Sequence, residues 1–493
     1  MGTIESFRHF NESLNSFLWG PYVLLPLLIV VGVYLSVRLG KGFFRGEAYR
    51  PPDEQTMPSS HSSPSRTLLR TRRAGSRGAG FLVLLAAAAA WGGAPDGTDI
   101  PHTLTRLSDR VIVLECLDVR VSAIASRSGI VVIDTDRAPA VMERLRGAIE
   151  RELGRRDFLY VVNTHGDPDH ASGNAALPSA RLIAHRSFMP FVLHAKAARL
   201  HARWAAQSRL EDARSRYAKL DPASDEAVDL RGRIATLEVL GEGSSGESIS
   251  RIPDIVFDDS LTLDLGDLTL EMRFCGEAHT NHDVVVYVPE ERLLFTGDLI
   301  CSPESPCFPV NAMCDAPRLV RELEGLLRRE AGPETVVPGH GEILTRTDLE
   351  TFCRVLSERY AKVAPENSAA WILSRTMERE GLDPALERVP LPAPGAPGTP
   401  NWSEEELAAL GARLVRRGKA DDAVRVLRLS LRALPESALL TGTLGDALLE
   451  RDDRDAAAAA YARCLALMPE HRRAAEMLKA IEATAPTSTR PAE

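Results

Sequence analysis

Three regimes of apolar spacing follow one another along the chain. Ser13 to Val37 contains no charged residue and reads FLWGPYVLLPLLIVVGVYLSV at its heart, a length that spans a bilayer. Pro21 and Pro26 would break a helix of that stretch in water. From about residue 100 the pattern changes to short apolar runs. Val111–Leu114, Gly129–Asp134 and Phe158–Asn163 read as strands, Ala138–Leu153 has helical spacing, and Leu261–Leu270 (LTLDLGDLTL) alternates as a half-buried hairpin does. Strands alternating with helices and hairpins predict an α/β or layered α+β domain over about 100–386. From 403 to 485 the spacing is helical and repeats. Leu410-Gly411, Ala423, Leu431 and Pro435 recur 34 residues on as Leu444-Gly445, Ala457, Leu465 and Pro469.

The segments between these regimes are polar or proline-rich. Residues 51–80 are rich in Pro, Ser and Arg and are expected to be a basic, disordered linker. Arg66, Arg70, Arg72, Arg73 and Arg77 then precede the short apolar run Phe81–Trp91 and the small residues Gly92-Gly93-Ala94, so that 81–94 reads as a secretory signal. Met57 is a candidate natural start, which would make 1–56 an extension. Arg38, Lys41 and Arg45 place the end of the first apolar segment (residues 1–50) in the cytoplasm. Both segments thus predict a membrane-anchored protein whose chain after about Ala94 is exported, periplasmic or extracellular. Ala195–Leu240 is charged and helix-prone with a break at Asp221-Pro222 and is expected to be an inserted helical hairpin, either a pocket cap or a structural insertion. Residues 387–402, with PLPAPGAPGTP at their centre, form a stiff linker.

Composition narrows the function classes. The 493 residues allow two to four modules. A net charge of −9 gives no indication of a nucleic-acid partner, and a hydrophobic content of 44% is ample for a packed core. The seven cysteines form no CxxC pair, so neither a zinc ribbon nor a disulfide scaffold is implied. Cys301, Cys307 and Cys314 lie close together, and in an oxidising compartment two of them can pair.

Candidate chemistry gathers at Asn163-Thr164-His165-Gly166-Asp167-Pro168-Asp169-His170. Two histidines and two carboxylates fall within six residues at the end of a strand, where α/β folds place their sites. Buried together they call for a cation; a solvated acidic loop is the alternative. Later strand ends carry Gly276-Glu277-Ala278-His279-Thr280, Thr296-Gly297-Asp298 and Pro338-Gly339-His340-Gly341.

Taken in this order, HGDPDH, GEAHT, TGD and PGHG resemble the motifs of the metallo-β-lactamase fold superfamily across about 240 residues. The resemblance implies an αββα sandwich and a dinuclear metal-dependent hydrolase. By position, His165, Asp167 and His279 would hold one metal and Asp169, His170 and His340 the other. Asp298 would bridge them, and Asp169 and Asp298 would orient the attacking water. The cofactors expected are two divalent ions, zinc first, with iron or manganese as alternatives. Asp167 departs from the family, which usually has histidine there, and resembles instead the carboxylate of the flavodiiron branch. The 34-residue period resembles tetratricopeptide repeats, an all-α module that would bind a protein partner or serve as a packing tail. LNSFLWGPYVLLPLL and YLSVRLG resemble the first segment of sodium:alanine symporters over roughly forty residues, with no transport function implied. The expected reaction is attack of activated hydroxide on a small-molecule ester, lactone, lactam, thioester, or phosphate or sulfate ester. The competing readings are an inactive scaffold that binds partners through its repeats, and a diiron redox protein.

Overall fold

The structure, a computed structural model, describes residues 100–194, 196–222, 224–243, 251–392 and 399–483. The expectations for residues 1–99 (apolar segment, basic linker, signal-like run) and for the centre of the proline-rich linker therefore lie outside the described residues. Among the described residues no helix is long and apolar enough to cross a membrane.

Two sheets form the middle of the fold. The first runs, in order, β1 (Thr103–Arg106), β2 (Val111–Cys116), β3 (Val119–Ser126), β4 (Gly129–Ile133), β5 (Phe158–Val162), β6 (Arg181–His185) and β7 (Ile255–Phe257). Its first four strands are antiparallel meanders, and β4 to β7 are parallel. The second holds β8 (Ser260–Asp264), β9 (Thr269–Phe274), β10 (Val284–Val288), β11 (Leu293–Gly297), β14 (Thr335–Pro338) and β15 (Leu344–Thr345), with β11 and β14 parallel and every other pair antiparallel. A small ribbon, β12 (Ile300–Ser302) and β13 (Ser305–Pro306), follows β11.

Period-2 side-chain alternation divides each strand between two cores. In β2, Val111 and Val113 face the second sheet, while Ile112, Leu114 and Cys116 face outward. In β10, Val284, Val286 and Val288 meet the first sheet, and Val285 and Tyr287 face the other way. Both faces are buried, which explains why the sequence here is a continuous apolar run rather than an alternating one. Helix α1 (Pro139–Leu153) covers the first sheet, α2 (Pro168–Ala171) and α3 (Phe188–Leu193) pack beside β6, and the hairpin α4 (Lys196–Tyr217) and α5 (Asp225–Gly243) adds Ala213, Leu230 and Leu237 to the outer core. Helices α6 (Ala316–Leu327) and α7 (Arg346–Tyr360) cover the second sheet. The result is the expected helix–sheet–sheet–helix sandwich.

Seven further helices share a separate apolar core: α8 (Ala369–Glu380), α9 (Leu382–Arg388), α10 (Glu404–Arg416), α11 (Ala420–Ala433), α12 (Ala438–Glu450), α13 (Arg454–Leu467) and α14 (Arg472–Ala483). The pair α10–α11 recurs as α12–α13, with starts and ends each displaced by 34 residues (438 − 404, 454 − 420). Gly411 and Gly445 stand where the helices of each pair cross, since a Cβ there would meet Leu427 or Tyr461 at 2.7–3.0 Å. The sequence groups 369–386 with the sandwich. In the structure Ala369, Ala370, Leu373 and Ala385 instead pack into the helical core, and Ser368 pairs with Asn401 across the linker. Nothing in the spacing of 369–386 tells which apolar surface its face meets.

The inserted hairpin does not stand free in solvent. It lies between the two cores: Ala197 N–H donates to Glu450 (3.1 Å), Lys196 pairs with Asp452 (2.8 Å) and His201 with Glu476 (2.9 Å).

Candidate metal centre

All seven residues expected as ligands come together at one edge of the sandwich, at the ends of β5, β9, β11 and β14. His165 follows β5 and is almost completely buried. Asp167 occupies the N-cap of α2, with Pro168 as the first helical residue. An aspartate at that position ordinarily accepts from its own helix's N–H groups, yet this one makes no such bond. Its Oδ2 lies instead 3.1 Å from His279 Nε2 and 3.8 Å from His165 Nε2. One turn on, His170 is fully buried. Asp298 ends the β11 segment, and its Oδ2 lies 3.2 Å from His340 Nε2 and 3.7 Å from both His165 Nε2 and His279 Nε2, while Oδ1 lies 3.3 Å from His170 Nε2. His340 Nε2 is 3.3 Å from His170 Nε2 and 3.5 Å from Asp169 Oδ2.

Two sets of three donors result, His165–Asp167–His279 and Asp169–His170–His340, and within each set the ligand atoms lie within 4.8 Å of one another. Asp298 stands between the sets. Gly297 and Gly339 permit this approach: a Cβ on Gly339 would collide with Asp298 Oδ1 and His170, and one on Gly297 with Thr164.

The outer ring nitrogens explain why the inner ones converge. His170 Nδ1–H donates to Asp134 Oδ2 (3.0 Å), His279 Nδ1–H to the Cys307 carbonyl (3.0 Å) and His340 Nδ1–H to the Asp118 carbonyl (2.7 Å). Thr164 Oγ1 donates to Asp134 Oδ2 (2.7 Å) and so accepts from His165 Nδ1–H (3.1 Å). All four imidazoles are thereby fixed in the tautomer that turns the Nε2 lone pair inward, as outer partners do for metal-binding histidines. His165 Nε2 is buried without a hydrogen-bond partner, a cost that a cation would remove.

Further elements hold these residues in place. Asp134 adopts a left-handed φ of 60° at the end of β4, an uncommon conformation for a residue other than glycine, and aims its carboxylate at Thr164 and His170. Arg120 holds the Pro338–Gly341 loop. Its N–H donates to the Gly339 carbonyl (3.1 Å), and its guanidinium to the carbonyls of Pro338 (3.4 Å) and Gly341. Cys301 and Cys307 form a disulfide that closes the loop carrying the His279 acceptor. Asp134 and Arg120 are absent from the sequence reading. Asp134 could have been found as a polar residue ending an otherwise apolar strand beside the cluster, whereas Arg120 carries no signal at all.

Electrostatics match the geometry. Burial alone would lower the pKa of His279, but its hydrogen bond to Asp167 outweighs this and raises it to about 9. His340 is likewise raised to about 10 by Asp169 and Asp298 against its burial. Burial would raise Asp169, but His340, His170 and Arg137 bring it down to about 2. His165 moves the other way, lowered by burial and by His170. In the metal-free protein, protons thus occupy much of the space between opposed donors. A divalent ion would displace them, and the mixed nitrogen and oxygen donors suit zinc, iron or manganese. Of the remaining histidines, His185 stacks on Phe274, His201 pairs with Glu476, His194 is exposed and His282 is buried beside the centre.

The seven residues lie within a stretch that matches a known family. Residues 115–340 match the family described as the metallo-beta-lactamase superfamily, and the chain carries a domain of that superfamily there. Among curated relatives, a metallo-beta-lactamase type 2 of Bacteroides fragilis is 28% identical over 91 residues, covering 18% of this chain and 36% of the relative. Another, from Bacillus cereus, is 31% identical over 81 residues, covering 16% and 32%. The chain thus spans about a third of the length of these relatives. Among solved structures, a metallo-beta-lactamase from Pontibacter korlensis is 20% identical with a TM-score of 0.36, covering 52% of this chain and 99% of that one. The DIM-1 metallo-beta-lactamase is 16% identical with a TM-score of 0.35, covering 53% and 99%.

Proposed function

We propose that this chain is a dinuclear metal-dependent hydrolase acting on a small molecule, an ester, lactone, lactam, thioester, or phosphate or sulfate ester. The observation that carries this reading is the inward convergence of four Nε2 atoms whose Nδ1 partners are all satisfied. His165, Asp167 and His279 would hold one divalent ion and Asp169, His170 and His340 a second, zinc first, with Asp298 available to both; such ions would supply Lewis acidity at the scissile group and lower the pKa of a water. The chain's own residues do the rest. Asp298 and Asp169 present carboxylate oxygens that can hold and orient that water and accept its proton. Asp134 keeps His170 in its required tautomer. The Nδ1 acceptors on His279 and His340 are backbone carbonyls, so those rings stay aimed whatever the protonation of neighbouring side chains.

The C-terminal helix pairs are read as tetratricopeptide repeats, supported by the 34-residue displacement and the small residues at both crossings. Their proposed role is to seat a protein partner in addition to packing on the sandwich. An exported, membrane-anchored location is proposed from the apolar segments of the first hundred residues, and a disulfide at Cys301–Cys307 fits an oxidising compartment.

The test is elemental analysis of purified protein beside a screen of esters, lactones, lactams and phosphate or sulfate esters. Two ions per chain, metal-dependent turnover and loss of both in His170→Ala are expected. Unchanged metal content in His170→Ala would overturn the reading.

A further inference from the structure

The domain shared with known proteins ends at residue 340, yet the metal centre has a neighbour well beyond it. Helix α10 lays Arg413, Arg416 and Arg417 on one face, three and four residues apart. The outer two are anchored on Glu277, two residues before His279: Arg413 Nη1 lies 2.6 Å from Glu277 Oε2, and Arg417 pairs with Oε1. Arg413 also donates to the Met313 carbonyl. Glu406 holds the other end of the same helix, accepting from Ala312 N–H (3.0 Å) and Ser368 Oγ (2.6 Å). The helix is therefore clamped against the loop that delivers His279, and Arg416 lies between the two clamping arginines.

Arg416 differs from both. Its Nε is buried without a hydrogen-bond partner, while part of the residue remains open. The carboxylates whose charge it feels most are Asp167, Asp283 and Glu277, in that order, after the cost of burial. Each of them is committed elsewhere. Asp167 faces His279 and the metal position. Asp283 accepts from the N–H groups of Ala278 and Thr280 and from the Thr280 hydroxyl. Both oxygens of Glu277 are taken by Arg413 and Arg417. A guanidinium whose Nε is buried with no carboxylate of its own is costly, and its planar fork suits a carboxylate, phosphate or sulfate.

We propose that Arg416, supplied by the C-terminal helical array, binds the anionic group of the substrate, so that the centre takes substrates carrying a negative charge beside the scissile bond. This rests on the hydrolase reading. It gives the array a part in substrate choice.

The experiment uses the zinc-loaded full chain, Arg416→Met, Arg416→Lys, and Arg425→Gln as control; Arg425 is exposed on α11 and pairs with Asp383. Binding of glutarate is measured by calorimetry. Turnover is compared on two p-nitrophenyl esters of equal acyl length, the charged hemiglutarate and the neutral pentanoate. Arg416→Met should weaken glutarate about tenfold to a hundredfold, the size of a charge-assisted hydrogen bond. It should also lower the hemiglutarate-to-pentanoate ratio of kcat/KM through KM. Arg416→Lys should recover part of both, and Arg425→Gln should match the parent. Equal glutarate binding in parent and Arg416→Met, or no binding by the parent, would overturn the proposal. So would a loss of zinc from Arg416→Met, because Arg416 would then be only a counter-charge to Asp167. If neither these esters nor any compound of the wider lactone, lactam and phosphate or sulfate ester screen is turned over while glutarate binding still depends on Arg416, the hydrolase reading fails and the anion site stands.

Discussion

The metal centre and the helical array solve opposite problems with similar polar residues. The centre draws its donors from positions 165 to 340 and leaves His165 Nε2 buried without a hydrogen-bond partner. The array repeats one 34-residue unit, and its crossings are made by small residues meeting large ones locally, Gly411 with Leu427 and Gly445 with Tyr461. Even its buried hydroxyl is satisfied, Tyr461 donating to Asp446 (2.5 Å). One region gathers titratable donors from distant segments around a shared centre; the other repeats a local contact and leaves Trp402 Nε1 and Arg416 Nε as its own buried unpaired atoms. Where they touch, at Glu277 with Arg413 and Arg417, the array is built against a ligand loop.

The largest effect that could break this contrast is removal of a shared donor. Asp298→Asn should cost metal affinity and activity by more than the ~10–100-fold typical of an outer partner, read by elemental analysis and turnover. Retained stoichiometry would mean that Asp298 does not join the two sets. Next comes Asp134→Asn, which leaves every donor in place but weakens the hold on His170 and Thr164. A loss of about 10–100-fold in metal affinity is expected, measured by chelator competition.

The pH response should separate the loaded and unloaded centre. In the metal-free protein His279 and His340 have pKa values of about 9 and about 10, above the ordinary 6.5. Their stabilisation is complete below about 6.5 and is lost as pH rises through 9 to 10. The Tm of the metal-free chain should therefore fall between pH 7 and 10, while metal affinity climbs as protons become easier to displace. A flat metal-free profile would contradict the proton-filled centre.

In the array, Gly445→Val should cost about 1–3 kcal/mol by overpacking against Tyr461, seen in denaturant unfolding, with metal content unchanged. The matching Gly411→Val lies on the helix that carries the three arginines, so it should also weaken metal or anion binding. Identical behaviour of the two would argue that α10 does not support the centre. The smallest effect is expected from Cys307→Ser. The carbonyl that receives His279 Nδ1–H remains, so metal affinity should drop by less than about tenfold, below the usual cost of removing an outer partner.

Much of this organisation is legible in the chain itself. Apolar runs buried on both faces, such as β10, announce central strands. Gly411 and Gly445 announce helix crossings because no larger residue fits. The four motifs name their donors through their resemblance, in order and context, to those of a known family. Asp134, Arg120 and Arg416 are another matter. Each is an ordinary polar residue whose importance lies in what stands opposite it, 30 to 250 positions away.

The local chemistry of this protein, its strands, repeats and donor types, is written in near-neighbour spacing, because helices, strands and turns respond to residues a few positions apart. The tautomer of each histidine, the packing of residues 369–388 with the array and the clamping of the Arg416 helix on Glu277 arise only when distant surfaces close on one another. Hydrogen bonds and charge pairs depend on separations of a few ångströms, which no order of residues along a line specifies.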